Sequence, residues 1–229
     1  MLTRLVDNLI NLLKWPIALL TLFLLPAITL AIGDEIAKLS SKVLIPLTVG
    51  IAAYFVLWKL LFTRRLWGSW LPTLEHELTH TIFALITLHK VTNFHTSYEK
   101  GGHVQYVGGP GNWLITIAPY FFPTFVALLL VLDFYLPLLQ RDLFILMLGF
   151  VVSFHVISTL TETNAKQPDL IKVGLSFCWC FLPGANLFFI GWLIFALLER
   201  GAVTYICSIY NYSIQHAELL IALANQQLT

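Results

Sequence analysis

Residues 74–80 read Leu74-Glu75-His76-Glu77-Leu78-Thr79-His80. This short run holds the residue types and spacing best suited to chemistry. Side chains four positions apart on a helix stand one above the other, so His76 and His80 can both offer an imidazole nitrogen to one metal ion. Imidazole suits zinc, and a catalytic zinc keeps one coordination position open for water or substrate. Glu77, directly after the first histidine, is placed to take a proton from water activated by that ion. Glu75 lies off the His76–His80 face and is expected to meet a neighbouring helix or to support the site from behind. The plainer reading of the run is a polar cluster that bonds to adjacent helices.

Zinc needs a third protein ligand. By residue type the candidates are Asp169, Glu162, His155 and His103, with His89, His95 and His216 at segment ends or in loops. Asp169 sits in Gln167-Pro168-Asp169. Proline at the first helical position and an acid in the first turn are also ordinary helix-start chemistry. The spacing leaves ligand and helix start open.

The elements that must position these residues belong to a membrane protein. Of 229 residues, 58% are hydrophobic and 11% charged, and the mean hydropathy is +0.81. Soluble domains carry about 25% charged and roughly 45–50% apolar residues. A net charge of +1, from 13 basic and 12 acidic residues, supplies no basic field for nucleic acid. The lipid bilayer is the expected partner. Spanning helices need about 20 mostly apolar residues, and six stretches qualify: 15–33, 43–62, 66–89, 112–132, 143–161 and 173–198. Each is expected to be helical, because no water inside a bilayer satisfies a free backbone group. The expected fold is all-α, about six transmembrane helices, organised as a single polytopic membrane domain over 1–229 with its catalytic core at 66–172. The first span exceeds the length of a signal-peptide core and is read as retained. Charged groups in the middle of a spanning helix cost about 2.5–3.5 kcal/mol each and by default mark function, which favours the metal reading of His76, Glu77 and His80.

Shorter elements flank the spans. In residues 1–14, Leu2, Leu5, Val6, Leu9, Ile10, Leu12 and Leu13 form one face and Arg4, Asp7, Asn8, Asn11 and Lys14 the other. That is the pattern of a helix lying on the membrane surface. The tail, 203–229, reads as a C-terminal surface helix. Between the third and fourth spans, Val91–Tyr98 and His103–Val107 are candidate strands joined through Glu99-Lys100-Gly101-Gly102, a turn suited to a β-hairpin. A free strand edge there could hold an unwound peptide extended beside the site; an ordinary surface loop is the simpler reading. Cys178, Cys180 and Cys207 are too few for a disulfide framework and are expected to be buried thiols. Lysine and arginine divide seven to six between the two sides, Arg64-Arg65 tipping both termini toward the cytoplasm.

A membrane-embedded His-Glu-Leu-Thr-His, a hairpin-like linker, Gly109-Pro110-Gly111-Asn112 opening the next span and a later aspartate resemble the site-2 protease family of intramembrane zinc metalloproteases. The resemblance covers most of 66–200 in motif order. It implies Zn²⁺ held by His76, His80 and Asp169, with Glu77 as catalytic base. It also implies a membrane-protein or transmembrane-peptide substrate, a cell-membrane location and a minimal core without a peptide-binding or nucleotide-binding accessory domain. The family's aspartate motif has Leu before and Gly after the acid, whereas here Pro168 precedes and Leu170 follows. His155 and Glu162 therefore stand as alternative ligands. Asn112, His155 and His103 are candidate substrate or oxyanion contacts, and Thr73, Thr79 and Thr81 are candidates to line a water path. Two other functions use the same histidines: a catalytically silent relative that binds membrane helices, against which an intact Glu77 argues, and a metal-ion transporter, which would often show paired repeats that this sequence lacks.

Overall fold

Backbone groups in a hydrocarbon solvent have only one another to bond, and the chain answers with helices almost throughout. The structure, a computed structural model, describes residues 1–62, 70–97, 101–135 and 140–227. In chain order these are α1 (Leu2–Leu12), α2 (Lys14–Ile36), α3 (Ser41–Leu57, continued by a π-helical turn Trp58–Phe62), α4 (Trp70–Ile86), β1 (Lys90–Ser97), β2 (Gly101–Val107), α5 (Trp113–Ile117), α6 (Thr124–Tyr135), α7 (Arg141–Glu162), α8 (Pro168–Val173), α9 (Leu175–Leu197) and α10 (Gly201–Gln227). Arg64, Arg65, Glu99 and Lys100, which entered the orientation and turn arguments, lie outside the described residues.

Among the described residues, four helices are long and apolar enough to cross a membrane: α2, α3 with its π turn to Leu60, α7 and α9. The protein is a multi-pass membrane protein. The stretch expected to form an unbroken fourth span is two pieces, Trp113–Tyr120 and Thr124–Tyr135, bent by 84°. Pro119 and Pro123 flank the break, and proline supplies no N–H to carry a helix across it. Glu75 repairs part of the damage. Its Oε1 accepts the Phe125 N–H at 3.1 Å, one of the donors that the start of α6 leaves without a helical partner. α4, which carries the histidine pair, is described from Trp70 onward, so the first part of the expected third span lies outside the described residues.

The fold divides into two units. The first comprises Met1–Trp15 and Ser41–Cys178. Within it α3 and α7 approach so closely that a Cβ on Gly50 would lie 1.9 Å from the Leu146 carbonyl oxygen, and one on Gly149 would lie 2.4 Å from that of Leu47. Small residues replace the hydrophobic driving force that water would otherwise supply between membrane helices. Tyr54 packs edge-on against Phe150 and Phe154 beside this contact. β1 and β2 pair antiparallel from Lys90↔Val107 to Ser97↔Gly101, with an irregularity between Val91 and Asn93; the expected hairpin is present, its strands starting one and two residues earlier. The second unit, Pro16–Ser40 with Trp179–Thr229, buries Ala27, Ile28, Ala31 and Ile32 of α2 against Ile194 and Phe195 of α9 and Tyr205 and Ile209 of α10. Cys178 is buried as expected, whereas Cys207 is exposed on α10.

One residue of the polar face of α1 departs from the expected pattern. Leu2, Leu5, Leu9 and Leu12 are exposed, as lipid-facing groups should be, and Arg4, Asn8 and Asn11 are exposed too, but Asp7 is wholly buried. The stripe of Thr3, Asp7 and Ile10 meets protein, where Thr3 Oγ1 donates to the Leu88 carbonyl and Trp113 Nε1 donates to that of Ile10.

The glycine contact between α3 and α7 gives the first test. Gly50→Val must drive its side chain into backbone that cannot rotate away, and overpacking of this kind costs about 1–3 kcal/mol. Thermal unfolding in detergent should show a lower midpoint than the wild type; an unchanged midpoint would refute the close approach.

Candidate metal centre

The two histidines of α4 converge as their spacing predicts, with ring centroids 4.7 Å apart. Each ring spends one nitrogen on holding its orientation. His76 Nδ1–H donates to Glu162 Oε2 at 2.9 Å, and His80 Nδ1–H donates to the Ile115 carbonyl at 2.8 Å. The other nitrogen of each ring faces one carboxylate oxygen: His76 Nε2 and His80 Nε2 both stand 3.4 Å from Asp169 Oδ2.

Asp169 reaches this point because α8 is a separate single-turn element. Pro168 opens it, Gln167 is its N-cap and Gly174, at φ +105°, ends it before α9 begins. The Tyr120 hydroxyl, in the helical turn before the α5–α6 break, donates to Asp169 Oδ2 at 3.4 Å. The Tyr120 ring packs edge-on against His76. His76, His80 and Asp169 are the group among the described residues that could hold a metal ion.

The donor set fits zinc. With both Nδ1–H groups committed to oxygen acceptors, each Nε2 presents a lone pair toward the carboxylate. Three such electron-rich atoms facing one another call for a cation among them. Tetrahedral zinc, with ligand bonds of about 2.0–2.1 Å, separates its ligand atoms by about 3.4 Å, the spacing found between Asp169 and each histidine. Imidazoles tied back to a carboxylate or a carbonyl are also the usual outer arrangement of zinc-binding histidines.

These residues open on a cavity of about 270 Å³. Its walls are the metal-ligand candidates, Glu77, Gly102 to Val104 and Tyr106 of the hairpin, Ile115 and Thr116 of α5, and Lys172 of α8. Glu77 lies against β2 so tightly that a Cβ on Gly102 would fall 2.4 Å from its Cγ. The Tyr106 phenol is held above its usual pKa, first by burial and then by the charges of Asp7 and Asp169, so it remains a hydrogen-bond donor at the cavity wall.

Other candidates are placed elsewhere. Glu162 stands behind His76 on Nδ1, opposite the converging nitrogens. His155 is buried in α7, its Nδ1 3.8 Å from Glu75 Oε1 and its Nε2 3.4 Å from Thr159 Oγ1, and it does not line the cavity. Asn112 does not line it either. Its Oδ1 caps α5 by accepting Ile115 N–H and its Nδ2 donates to Asp7, so both ends of the amide are engaged. His103 does line the cavity. Thr79 and Thr81 bond back to the carbonyls of Glu75 and Glu77 in their own helix, and Thr116 takes the cavity-lining place expected of them. Sequence reasoning missed Tyr106, Thr116, Tyr120 and Lys172. Lys172 alone carried a signal, three residues after Asp169 on the same helix.

Among known families, the model described as Peptidase M50B-like matches residues 47–209. No curated protein and no solved structure matches the chain.

The bond behind His76 is directly testable. Glu162→Ala frees the ring to turn, and loss of such an outer partner weakens metal binding on the order of 10- to 100-fold. Chelator competition on purified protein should show that weakening, and an affinity equal to wild type would mean the carboxylate does nothing for the site.

Proposed function

The chain belongs to the Peptidase M50B-like family, and from that premise we propose that it is an intramembrane zinc metalloprotease that hydrolyses peptide bonds of membrane-protein substrates in or near the bilayer. The observation that carries this reading is the convergence of His76 Nε2, His80 Nε2 and Asp169 Oδ2 at a cavity whose wall includes Glu77. In this reading His76, His80 and Asp169 hold Zn²⁺. When bound, zinc acts as a Lewis acid toward a peptide carbonyl and lowers the pKa of water toward about 7.

The protein's own groups do the rest. Glu77 accepts a proton from the attacking water as its oxygen bonds to the carbonyl carbon. It returns that proton to the amide nitrogen as the C–N bond breaks. His76 and His80 keep their Nε2 atoms aimed by donating their Nδ1–H groups elsewhere. The Tyr106 hydroxyl and His103 are the polar side chains of the hairpin available to an incoming carbonyl.

A helical substrate must be opened before its backbone can reach the cavity. β2 contributes residues to the cavity wall and, among the described residues, pairs with β1 alone, which supports capture of an extended segment by strand addition. Both termini are assigned to the cytoplasmic side of a cell membrane, on the distribution of lysine and arginine.

Two variants test the chemistry and its metal together. Glu77→Gln should abolish cleavage of a membrane-protein substrate while zinc content stays at the wild-type level; a variant that still cleaves removes Glu77 as base. Asp169→Ala should lose zinc on dialysis, and full occupancy would return the third-ligand role to another residue.

Gly102→Ala tests the geometry between base and strand. The added methyl must push Glu77 away from its place, so cleavage should fall at least about tenfold, a misplacement of the order of 1 Å being enough for that. Zinc binding should be retained. Wild-type turnover would show that the contact with β2 does not set the position of the base.

A further inference from the structure

Asp7 is the most deeply buried acid in the described structure, at 0% exposure, and the chemistry proposed above makes no use of it. A buried carboxylate is expensive unless its oxygens are bonded, and those of Asp7 are. Oδ1 accepts Asn112 Nδ2 at 2.7 Å. Oδ2 accepts Gly111 N–H at 3.2 Å, and His89 Nε2 stands 3.2 Å away as an ion-pair contact. Gly109 closes the cradle, since a Cβ there would lie 2.1 Å from Oδ2. A helix that needed only to rest on the membrane surface would carry this acid in water.

The bonds continue inward from Asn112. Its Oδ1 accepts Ile115 N–H at 3.1 Å, fixing the first turn of α5. The carbonyl of the same Ile115 accepts His80 Nδ1–H at 2.8 Å. An unbroken chain therefore runs from the Asp7 carboxylate through Asn112 and Ile115 to the imidazole of His80. We infer that Asp7 is a positioning residue for the metal centre, holding α5 so that the Ile115 carbonyl aims His80 Nε2 at the metal position. The inference rests on the metalloprotease reading of that site. It gives α1 a second task beside its leucine face: the helix braces a ligand located more than seventy residues later in the chain.

The test uses the full chain in detergent with Co²⁺ as probe, because its visible absorption reports ligand geometry without any substrate. Asp7→Ala should change the cobalt band and weaken Co²⁺ binding on the order of tenfold, as loss of an outer-sphere support does. Asp7→Asn keeps an oxygen to accept from Asn112 and should restore most of the wild-type spectrum. Thr3→Val breaks a different bond between α1 and the body, to the Leu88 carbonyl, and should lower the thermal midpoint with the spectrum unchanged.

A wild-type spectrum and affinity in Asp7→Ala would overturn the inference. So would a Thr3→Val spectrum shifted as far as that of Asp7→Ala, because seating of the helix in general would then be responsible. Should Asp7→Ala fail to fold, Asp7→Glu serves: the longer side chain must displace Asn112 from a filled cradle, and an unaltered cobalt band there is equally fatal. Failure of the wild type itself to bind Co²⁺ would sink the metalloprotease reading and the brace with it, whereas failure confined to the Asp7 variants sinks the brace alone.

Discussion

Three electron-rich atoms, two imidazole nitrogens and one carboxylate oxygen, face one another at about the spacing of a tetrahedral ion's ligands, and most of the surrounding structure serves to keep them there. Neither histidine could hold this posture alone. A helix fixes where an imidazole begins but leaves it free to rotate about χ1 and χ2. Glu162 and the Ile115 carbonyl remove that freedom by occupying the far nitrogens. Asp169 differs, because the Tyr120 hydroxyl donates to the same Oδ2 that faces the histidines. The two imidazoles are held by bonds made on the sides facing away from the metal position, so their near sides stay open.

The 84° bend between the two halves of the fourth hydrophobic stretch belongs to the same arrangement. In a helix the Ile115 carbonyl would accept the N–H four residues later, but that residue is Pro119, which has none, so the oxygen is available to His80. The break also frees backbone donors at Phe125, and Glu75, on the face of α4 away from the histidines, satisfies one of them. Irregular backbone within a membrane protein is tolerated where protein groups replace the lost bonds. The two faces of α4 thus do complementary work: one presents the histidine pair and the other stabilises the break that follows the Ile115 carbonyl.

Sequence gave access to these features unequally, for physical reasons. The histidine pair was readable because an i, i+4 relation is local and fixed by helix geometry. The hairpin was readable from its glycines and alternating residues. The place of Asp169 beside the histidines was not derivable from spacing: a residue brought in by tertiary folding leaves no periodic trace, and Pro168-Asp169 reads as a helix start, which it also is. The break in the fourth stretch was hidden because hydropathy registers apolar length and not whether the helix is continuous. Asp7 was misread for a subtler reason. An amphipathic pattern records that one face of a helix is polar, and it is the same whether that face meets water or the polar groups of its own protein.

That ambiguity points to how burial should be read in a protein of this class. Large apolar side chains such as Leu2, Leu9 and Leu12 are exposed, while Asp7, Glu75, Thr79, His89, Asn112 and His155 are buried, as are apolar core residues such as Leu148 and Phe195. Exposure does not divide the polar residues cleanly by role. The supporting groups Asp7, Glu75 and Asn112 are at most 5% exposed, since nothing outside the protein has to reach them, whereas Glu162, behind His76, keeps 26% of its side chain exposed. The side chains of His76, His80 and Asp169 retain 15, 13 and 30% exposure, as the proposed roles in admitting an ion and a substrate require. Glu77, at 7%, lies nearer Asp7, Glu75 and Asn112 in exposure although it lines the cavity, because Gly102 of β2 is packed over it. Glu77, the proposed base, is thus screened by the hairpin, and the strand proposed to receive an extended peptide is also the strand that covers it.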